Sequence, residues 1–572
     1  MLALSLVLAL AGPPSWVDLT EVRPGQRGTC ITEWVGGERR ETAVEVVGVL
    51  DASGPERGTV LVRLLDPALE DGGVVAGMSG SPVWLDGKLL GAIAYGWSFA
   101  REPLAGVTPF AIMREISAFA PPGPLPPPTL EQLAALAAGR LDALALLPRV
   151  PPFRLAGSLP VAVAGLPGGC QGWAAELLAR VGLGPVGAAA RGDAVGVPEA
   201  GEMMAPLLVW GDAIVGAGGT VTAREGDTLW AFGHPMLGLG SVRLPVAKAR
   251  VLAVQRSFQS PFKIFAVGEP FGTLVADRPS GVLARVGPPP RGLPVEVEVR
   301  DGSGFTRWHF RVAEHPLLSP LMVTYVVNAS LTTRAASAGD SSVHLRFRGR
   351  LADGQSLEIS QAARSADAPA RLASFAGAVT GVLCASELPH PPLAEVSVAV
   401  SRDETHAGAS IEEVIPARTV VRPGETIAVE VRLQPFQAPR ALQRLAITVP
   451  RVLAPQDIDL VVADGASWTE YLLKNRPSNP ATFSQQLAAL RRFEPSTTLV
   501  AALESREGSV GLSGGELSAT PPSWAWTLGS GLGKAVSRLP TSILSVTRWA
   551  APYPLEGASR ITLRVRPPRE VP

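Results

Sequence analysis

The segment "GMSGSPVWLDGKLLGAIAYGW" at residues 77–97 decides the fold expected for this chain. Its first five residues hold two glycines and two serines, and a proline follows them. Two apolar runs then flank Asp86-Gly87, a dipeptide typical of two-residue hairpin turns. The segment therefore predicts a tight, glycine-rich bend that leads into a β-hairpin at 82–96. Taken alone, the hexamer at 77–82 is more typical of a structural bend than of a serine held out for chemistry.

Composition extends the β expectation to the whole chain. The 572 residues exceed one ordinary domain, so several domains are expected. The 60 glycines and 54 prolines favour many short strands joined by turns. Lys+Arg and Asp+Glu both number 51, and this balance argues against a nucleic-acid-binding surface or a polybasic membrane tether. The expected class is mainly β.

The N-terminus predicts export. An apolar run at 1–12 ends in Ala9-Leu10-Ala11, a small-x-small pattern that predicts a signal peptide at 1–11. The run lacks a basic n-region and is too short to span a bilayer, and the alternative is a buried first strand. Export would place the protein in the periplasm, the cell envelope or the extracellular space. No other segment has the pattern of a transmembrane helix.

The order of elements predicts five regions after the leader. Strand patterns dominate before residue 120 and again over 205–330, whereas helical spacing occurs at 130–147, 172–183, 368–383 and 481–493. The strand–"PGE"–strand pattern at 419–436 is typical of an immunoglobulin-like sandwich. The predicted regions are a serine-bearing half at 12–120, a Pro-rich linker with a helical insert at 121–204, a histidine-bearing half at 205–335, a β-hairpin plus helix at 336–390, and an immunoglobulin-like β region with a helical insertion at 391–572.

The bend at 77–82 has what a nucleophilic serine needs locally. A serine hydroxyl must be activated by a base, which is oriented in turn by a carboxylate, and backbone N–H groups must stabilise the oxyanion. Gly77 and Gly80 give the backbone around Ser79 unusual conformational freedom. A substrate carbonyl would meet the N–H groups of Gly77 and Ser79.

Two other motifs compete with this bend and are rejected. The stretch "GLSGGEL" at 511–517 fits a Gly-x-Ser-x-Gly elbow better than Ser79 does, but no strand pattern follows it, so a loop is expected. The stretch "GSGLGKA" at 529–535 is one residue short of a phosphate-binding loop, and it has alanine where Ser or Thr must contact magnesium. The three cysteines have neither metal-site nor disulfide spacing. No cofactor and no metal are expected.

The histidines restrict the choice of a base. None of the six precedes residue 234, so a base for Ser79 must come from a distant segment. His234 lies in "LWAFGHPMLGLG", where an apolar strand breaks at Gly233, and it is the strongest candidate, with a simple turn histidine as the alternative. The others lie in alternating strands, in a linker, in a polar loop or at an unsupported strand end: His309, His344, His390, His406 and His315.

The carboxylate is less well defined. Asp66 closes the strand "VLVRLLD" before Pro67 and is the preferred candidate. A turn-forming role at this Asp-Pro step explains the same residue. The weaker alternatives are Asp71, Asp227 and Asp277.

The segment 66–96, "DPALEDGGVVAGMSGSPVWLDGKLLGAIAYG", resembles the signature of the stage IV sporulation protein B peptidases, a family of chymotrypsin-like serine endopeptidases. The shared features are Gly-Met-Ser-Gly-Ser-Pro, a strand, an Asp-Gly turn and Lys-hydrophobic-Gly-Ala. Gly-His-Pro at 233–235 is a second shared feature, and 268–287 resembles the stretch that follows it. In the sporulation enzymes the histidine block comes first, whereas here the order is reversed.

The resemblance implies a fold and a set of roles. The fold is a chymotrypsin-like two-barrel unit, here split by the helical insert. Ser79 would be the nucleophile, His234 the base and Asp66 the orienting acid, with a protein or peptide as substrate. In such a cleft the strand at 91–97 pairs with the substrate, which assigns binding roles to Tyr95, Gly96 and Trp97; the alternative is a core strand with buried aromatics. A catalytically silent envelope protein that binds partners is the competing function.

Overall fold

The computed structural model describes most of the chain. The predicted leader, the alternative carboxylate Asp71, the stretch at 529–535, Cys170 and His406 lie outside the described residues. The described residues are 15–50, 58–70, 73–97, 102–118, 126–142, 145–146, 159–166, 172–188, 191–259, 261–302, 304–333, 341–403, 407–476, 480–512, 515–517 and 536–567.

The contacts divide the chain into two units. The first consists of Met1–Leu125, Pro148–Pro294 and His309–Tyr325, and the second of Pro126–Leu147, Val295–Trp308 and Val326–Pro572. Strands hold 51% of the residues and helices 18%, which confirms the mainly β class. Both candidate residues, Ser79 and His234, belong to the first unit.

The described α-helices are few and mostly short. They are α1 (Phe110–Met113), α2 (Leu130–Ala137), α3 (Gly172–Arg180), α4 (Leu318–Thr333), α5 (Ala368–Ala385), α6 (Gly465–Asn475) and α7 (Phe483–Leu490). Short 3-10 helices lie at Leu19–Glu21, Val35–Gly37, Pro67–Leu69 and Arg114–Ala118.

The first six strands form a closed barrel. Its strands are β1 (Arg27–Glu33), β2 (Arg39–Leu50), β3 (Thr59–Leu65), β4 (Pro82–Leu85), β5 (Lys88–Tyr95) and β6 (Leu104–Pro109), paired in the order β1-β2-β3-β6-β5-β4. Alternating side chains such as Val44, Val46 and Val62 fill its core. The predicted hairpin of β4 and β5 is present, and Asp86 (φ 48°) and Gly87 (φ 74°) form its turn.

The next strands of the first unit are also antiparallel in the main. They are β7 (Leu159–Ala164), β8 (Leu183–Ala188), β9 (Met203–Gly211), β10 (Ile214–Ala217), β11 (Gly219–Glu225), β12 (Thr228–Ala231), β13 (Gly240–Gln255), β14 (Phe262–Arg278) and β15 (Gly281–Val286). Pairing runs β11-β12-β15-β14-β13-β9, and β11 also pairs with β9, so the series returns to its first strand.

The region predicted as a linker and helical insert contains strands as well as helices. Helix α2 is shorter than the helical pattern at 130–147, and α3 agrees with the prediction at 172–183. Strand β7 pairs with β10, and β8 pairs with β7 in parallel, so these residues extend the histidine-side sheet.

A helix, α4, was not expected in the predicted β region at 205–330. Its apolar residues are spread around the helix among Ser, Thr and Asn, so the segment shows no clear helix period.

The second unit contains α2, most of β16 (Leu293–Asp301) and part of β17 (Gly304–Val312). It also contains β18 (Ser341–Leu351), β19 (Ser356–Ser365) and β20 (Leu393–Asp403). Strand β18 pairs with both β19 and β20, and β16 runs parallel to β20. Helix α5 is long and apolar enough to cross a membrane by length and composition, but 78% of that stretch is buried inside the protein.

The C-terminal part contains two sheets that share an apolar core. The sheets are β24-β23-β21-β31 and β22-β32-β25-β26-β30, and side chains of both, such as Val429, Ile447, Leu460 and Leu503, meet in one cluster. The immunoglobulin-like identity of this region stays a prediction. The strands of the two sheets are β21 (Ala409–Pro416), β22 (Val420–Val421), β23 (Thr426–Pro435), β24 (Ala441–Thr448), β25 (Asp457–Asp464), β26 (Thr498–Ser505), β30 (Ser542–Ala550), β31 (Leu555–Glu556) and β32 (Ala558–Val565).

Two expectations for this region were wrong. A second helix, α6, precedes the expected α7. The stretch at 511–517 was expected to be a loop, but its described residues belong to β27 (Ser509–Leu512) and β28 (Gly515–Leu517), which pair with each other, and β27 also pairs with β29 (Val536–Leu539).

Candidate active site

The serine bend is a tight turn between the 3-10 helix at Pro67–Leu69 and β4. Gly77 (φ 99°) and Gly80 (φ 96°) both adopt left-handed conformations that favour glycine. The Ser81 N–H donates to the Met78 carbonyl at 2.8 Å, and the Gly80 N–H donates to the Ile93 carbonyl of β5 at 2.7 Å. The bend is therefore held both by its own hydrogen bonds and by the hairpin that follows it.

Two threonines of β11 hold the other side of this turn. The Thr220 N–H donates to the Ser79 carbonyl at 2.7 Å, and its hydroxyl donates to the Gly77 carbonyl at 2.8 Å. The Thr222 hydroxyl donates to the Gly80 carbonyl at 2.8 Å. A Cβ at Gly80 would lie only 1.8 Å from the Thr220 carbonyl oxygen. This close approach of two backbones requires glycine and fixes the serine turn against the histidine-side strands.

Two backbone donors of the turn remain available. Among the described residues, neither the Gly77 N–H nor the Ser79 N–H has a hydrogen-bond partner. The carbonyls of both residues accept from Thr220, which fixes the orientation of the surrounding peptide groups. A pair of fixed N–H groups two residues apart, one of them on the serine itself, suits a developing oxyanion.

The histidine lies on a strained turn after β12. Phe232 and Gly233 both have φ of 70°, and this conformation is an outlier for a bulky residue such as Phe232. The turn is anchored because the Phe232 N–H donates to the Thr220 carbonyl at 3.2 Å and the Thr108 hydroxyl donates to the Gly233 carbonyl at 2.6 Å. Backbone strain of this kind is found at functional sites, where the surroundings enforce it.

The turn directs the imidazole of His234 at Ser79. His234 Nε2 lies 2.9 Å from Ser79 Oγ, and His234 Nδ1 lies 2.8 Å from the Pro235 carbonyl oxygen. A carbonyl oxygen only accepts, so Nδ1 carries the proton and Nε2 accepts from the serine hydroxyl. Burial lowers the pKa of His234 to about 4, so the ring is neutral at pH 7. This pair can move a proton from Ser79 to His234.

Among the described residues, no hydrogen bond joins Asp66 to this imidazole. Its carboxylate accepts from Arg40 Nη2 at 2.7 Å, from the Thr42 hydroxyl at 3.2 Å and from the Ala68 N–H at 2.9 Å. The last bond caps the 3-10 helix that begins at Pro67. The alternative interpretation of Asp66, a turn-former at an Asp-Pro step, therefore agrees with its hydrogen bonds, and the orienting role does not.

A different carboxylate, Asp277, supports the histidine turn. It is 1% exposed and accepts from the N–H groups of Met236 at 2.7 Å, Leu237 at 2.8 Å and Leu239 at 3.1 Å. Burial raises its pKa, and the N–H donors oppose that rise. In the sequence analysis Asp277 was only a weaker alternative to Asp66, although it lies within the family-like stretch 268–287. Only the pairing of β13 with β14, which sets Gly240 opposite Asp277, brings it to this loop.

A buried lysine lies beneath the serine turn and was missed in the sequence. Lys263 Nζ donates to Thr32 Oγ1 at 2.8 Å, and the Ser81 hydroxyl donates to the same oxygen at 2.9 Å. Burial lowers the pKa of Lys263 to about 8, although Glu33 opposes the change. The hydroxyl of Ser81 is thus engaged in a buried network, whereas that of Ser79 meets the imidazole. The feature that could have identified Lys263 in the sequence is its position in the otherwise apolar stretch "PFKIFAV" at 261–267.

The predicted substrate-binding residues lie at the end of β5. Strand β5 is paired on both sides, and a Cβ at Gly91 would meet the Thr108 carbonyl oxygen of β6 at 2.0 Å, so β6 fills the space that a peptide was expected to use there. Tyr95 is buried at 9% exposure, whereas Trp97 is 39% exposed. Within the described residues, the backbones of Gly96 and Trp97 have no hydrogen-bond partner.

Comparison with known proteins finds a family match for the segment that forms the first barrel. Residues 17–111 match the family model described as SpoIVB peptidase S55. The match includes the whole β1–β6 barrel and Ser79, and it ends before His234. No curated protein and no solved structure matches the chain. Over residues 17–111, the resemblance to the SpoIVB-type peptidases is therefore confirmed, and the chain carries the serine-bearing segment of a relative of that family.

Proposed function

We propose that this protein is an exported serine endopeptidase in which Ser79 is the nucleophile and His234 the general base. The observation that carries the proposal is the 2.9 Å contact between Ser79 Oγ and His234 Nε2. The peptidase-family match over residues 17–111 supports the same chemistry. The apolar run at 1–12 supports export.

The geometry supports a conventional acyl-transfer sequence. Ser79 Oγ attacks the scissile carbonyl as its proton passes to His234 Nε2, and the carbonyl oxygen becomes an oxyanion between the N–H groups of Gly77 and Ser79. His234 then gives the proton to the leaving amine, which leaves an acyl group on Ser79. A water molecule, deprotonated by His234, hydrolyses that acyl group and restores the pair.

A two-barrel arrangement of the first unit belongs to this proposal. The β1–β6 barrel carries Ser79, and the pairing series from β9 through β11, β12, β15, β14 and β13 back to β9 supports a second barrel beside His234. Each half needs only to present one turn to the other. The reversed order of the two blocks along the chain is therefore compatible with a shared site.

The proposed substrate is an extended peptide. Just beyond the end of β5, the backbones of Gly96 and Trp97 have no hydrogen-bond partner in the part of the chain that the structure describes, and this supports binding by strand addition at this point. The exposed indole of Trp97 and the ring of Tyr95 are the side chains nearest to that backbone along the chain. The proposal assigns them to the pocket that selects substrate.

A catalytically silent binding protein is the second candidate. Ser79 is only 7% exposed and His234 2% exposed, which favours a covered site. In addition, Nδ1 of His234 meets a backbone carbonyl rather than a carboxylate. A silent relative would keep the turns for packing and would not react.

A mixed peptide library, read by mass spectrometry, distinguishes the two functions without assuming a cleavage sequence. The endopeptidase account expects cleavage by the full chain, loss of cleavage in Ser79→Ala and retained cleavage in Ser81→Ala, whose hydroxyl is engaged with Thr32. Cleavage that persists in Ser79→Ala would remove this serine from the mechanism. A full chain that cleaves nothing would favour the binding protein.

A further inference from the structure

One peptide group lies between His234 and the buried carboxylate of Asp277. Its carbonyl, that of Pro235, lies 2.8 Å from His234 Nδ1. Its N–H, that of Met236, donates to Asp277 Oδ1 at 2.7 Å. The four groups Ser79 hydroxyl, imidazole, peptide and carboxylate thus form one continuous chain of hydrogen bonds.

We propose that Asp277 is the positioning carboxylate of the Ser79–His234 pair and that it acts through the Pro235–Met236 peptide group. The proposal rests on the proposed function for the roles of Ser79 and His234. It assigns to Asp277 the task that the family resemblance implied for Asp66.

The physical basis is polarisation along hydrogen-bonded groups. A negative charge at the N–H side of an amide draws electron density toward its carbonyl oxygen, and hydrogen bonds in series strengthen one another in a buried site. The Pro235 oxygen then holds the Nδ1 proton more firmly and better stabilises the imidazolium that forms during attack. In a conventional triad the carboxylate does this by direct contact.

Only one proton moves during acylation, first from Ser79 to His234 and then from His234 to the leaving amine. The Ser79 proton moves to His234 Nε2 as the Oγ–carbon bond forms, and it leaves with the amine. The Nδ1 proton stays on the ring, the Met236 N–H keeps its own proton, and Asp277 neither gains nor loses a proton in this step. Asp277 therefore positions and polarises the base without touching the substrate.

The local structure makes this carboxylate rigid. Asp277 also accepts from the N–H groups of Leu237 and Leu239, so both of its oxygens are used. Hydrogen bonds to a charged acceptor are stronger than neutral ones. The loop at 236–239 is thereby fixed to the end of β14, and with it the carbonyl that orients the imidazole.

Few other charges face this turn. The residues of β5 and β6 that meet Gly233 are Ala92, Ala94 and Thr108, and none of them is charged. The end of β14 carries Arg278 next to Asp277, and the guanidinium donates to Ser241 at 3.3 Å. Beneath the serine turn, the stem of the ionisable Lys263 packs at Gly77. Among these groups Asp277 is the one joined to the imidazole by hydrogen bonds.

The rate at which a fluorophosphonate labels the full chain, measured between pH 3.5 and 8, tests the proposal. Asp277→Asn should lower the plateau rate about tenfold or more. It should also move the acid limb to lower pH, because the imidazolium loses its anionic support. A loop that is merely misplaced would lower the plateau and leave the midpoint of the limb unchanged, and that outcome overturns the proposal.

The matched control is Asp464→Asn in the second unit. Asp464 is also a buried carboxylate that accepts from backbone N–H groups, those of Ser467 and Gly557, so its loss carries a similar structural cost. Its labelling rate and pH profile should equal those of the wild type. Equal profiles for Asp277→Asn and Asp464→Asn would also overturn the proposal.

Nuclear magnetic resonance of the wild-type chain gives a readout that does not depend on any variant folding. The Nδ1 proton of His234 should be protected from exchange at pH 7 and should resonate farther downfield than the other histidine ring protons. A His234 that carries no Nδ1 proton at pH 7 contradicts the proposal. A wild type that shows this resonance but resists fluorophosphonate would instead refute the proposed function and leave the hydrogen-bond chain intact.

Discussion

His234 combines two properties that are rarely compatible in a solvent-exposed ring. It is a neutral acceptor for the Ser79 hydroxyl at neutral pH, and its orientation is fixed by a hydrogen bond at the other nitrogen. Burial accounts for the first property, since it disfavours the charged imidazolium. The Pro235 carbonyl accounts for the second.

The lowered pKa of His234 predicts an unusual pH profile. The base is active when neutral, so the labelling rate of Ser79 should stay flat from pH 8 to pH 5 and fall only as pH approaches about 4. An ordinary histidine would give a midpoint near 6.5. Labelling rates measured in overlapping buffers check this prediction, and a midpoint above 6 would contradict it.

The assignments of Asp277 and Asp66 as the supporting carboxylate predict different labelling rates for the two Asn variants. If Asp277 supports the base, Asp277→Asn should reduce the labelling rate more than Asp66→Asn does, because the hydrogen bonds of Asp66 go to Arg40, Thr42 and Ala68. Parallel labelling of both variants, with their melting temperatures, is the measurement. A larger rate loss in Asp66→Asn at equal stability would restore the assignment that the family resemblance implied.

At the scale of elements, the serine turn depends on close backbone packing against β11. Gly80 and Gly87 both have positive φ, but a Cβ meets the Thr220 carbonyl at Gly80 and nothing within 4 Å at Gly87. Substitution at Gly87 therefore tests backbone strain alone, whereas substitution at Gly80 tests backbone strain together with the contact to Thr220. Gly87 lies on the far side of the β4–β5 hairpin, where the chain only reverses direction.

Alanine at these two glycines tests that packing. Gly87→Ala should cost about 1 kcal/mol of unfolding free energy, the strain of a left-handed residue, and leave Ser79 reactive. Gly80→Ala should cost more and abolish labelling, because the turn must move away from Thr220. Denaturant titration and labelling check both values. Unchanged labelling in Gly80→Ala would show that the turn need not hold this position.

Trp97 tests the proposed substrate edge. Because its indole is 39% exposed, Trp97→Ala should leave stability and fluorophosphonate labelling nearly unchanged and raise KM for peptides. Gly96→Val is a poorer probe, since a Cβ there lies 2.9 Å from the Cβ of Val74 and would disturb packing. Steady-state kinetics on a peptide found to be cleaved is the measurement. An unchanged KM would move the cleft elsewhere.

Across the whole molecule, local chemistry was predictable and long-range pairing was not. The Asp86-Gly87 hairpin follows from two adjacent residues, and Ser79 and His234 could be chosen from glycine-rich breaks in apolar strands. Asp277 reaches the site only through the register of two long strands, which a single sequence does not encode locally. Helix α4 was missed for a related reason, because tertiary burial stabilises an apolar segment whose periodicity is weak.

The stability of the fold should also depend on His234. Its pKa is about 4 when folded and about 6.5 when unfolded, so between these values only the unfolded chain binds the proton. Stability should therefore fall as pH drops through this window, by about 1.4 kcal/mol per pH unit from this residue. In His234→Ala the slope should be smaller by that amount. Equal slopes in denaturant titrations would mean that the folded ring is not shielded.

The most direct test of the central claim is the position of a fluorophosphonate adduct on the full chain at pH 7, mapped by peptide mass spectrometry. The account predicts one adduct on Ser79, absent in Ser79→Ala and in His234→Ala and retained in Ser81→Ala. An adduct on Ser81, or a folded wild-type chain that takes up no probe, would contradict it.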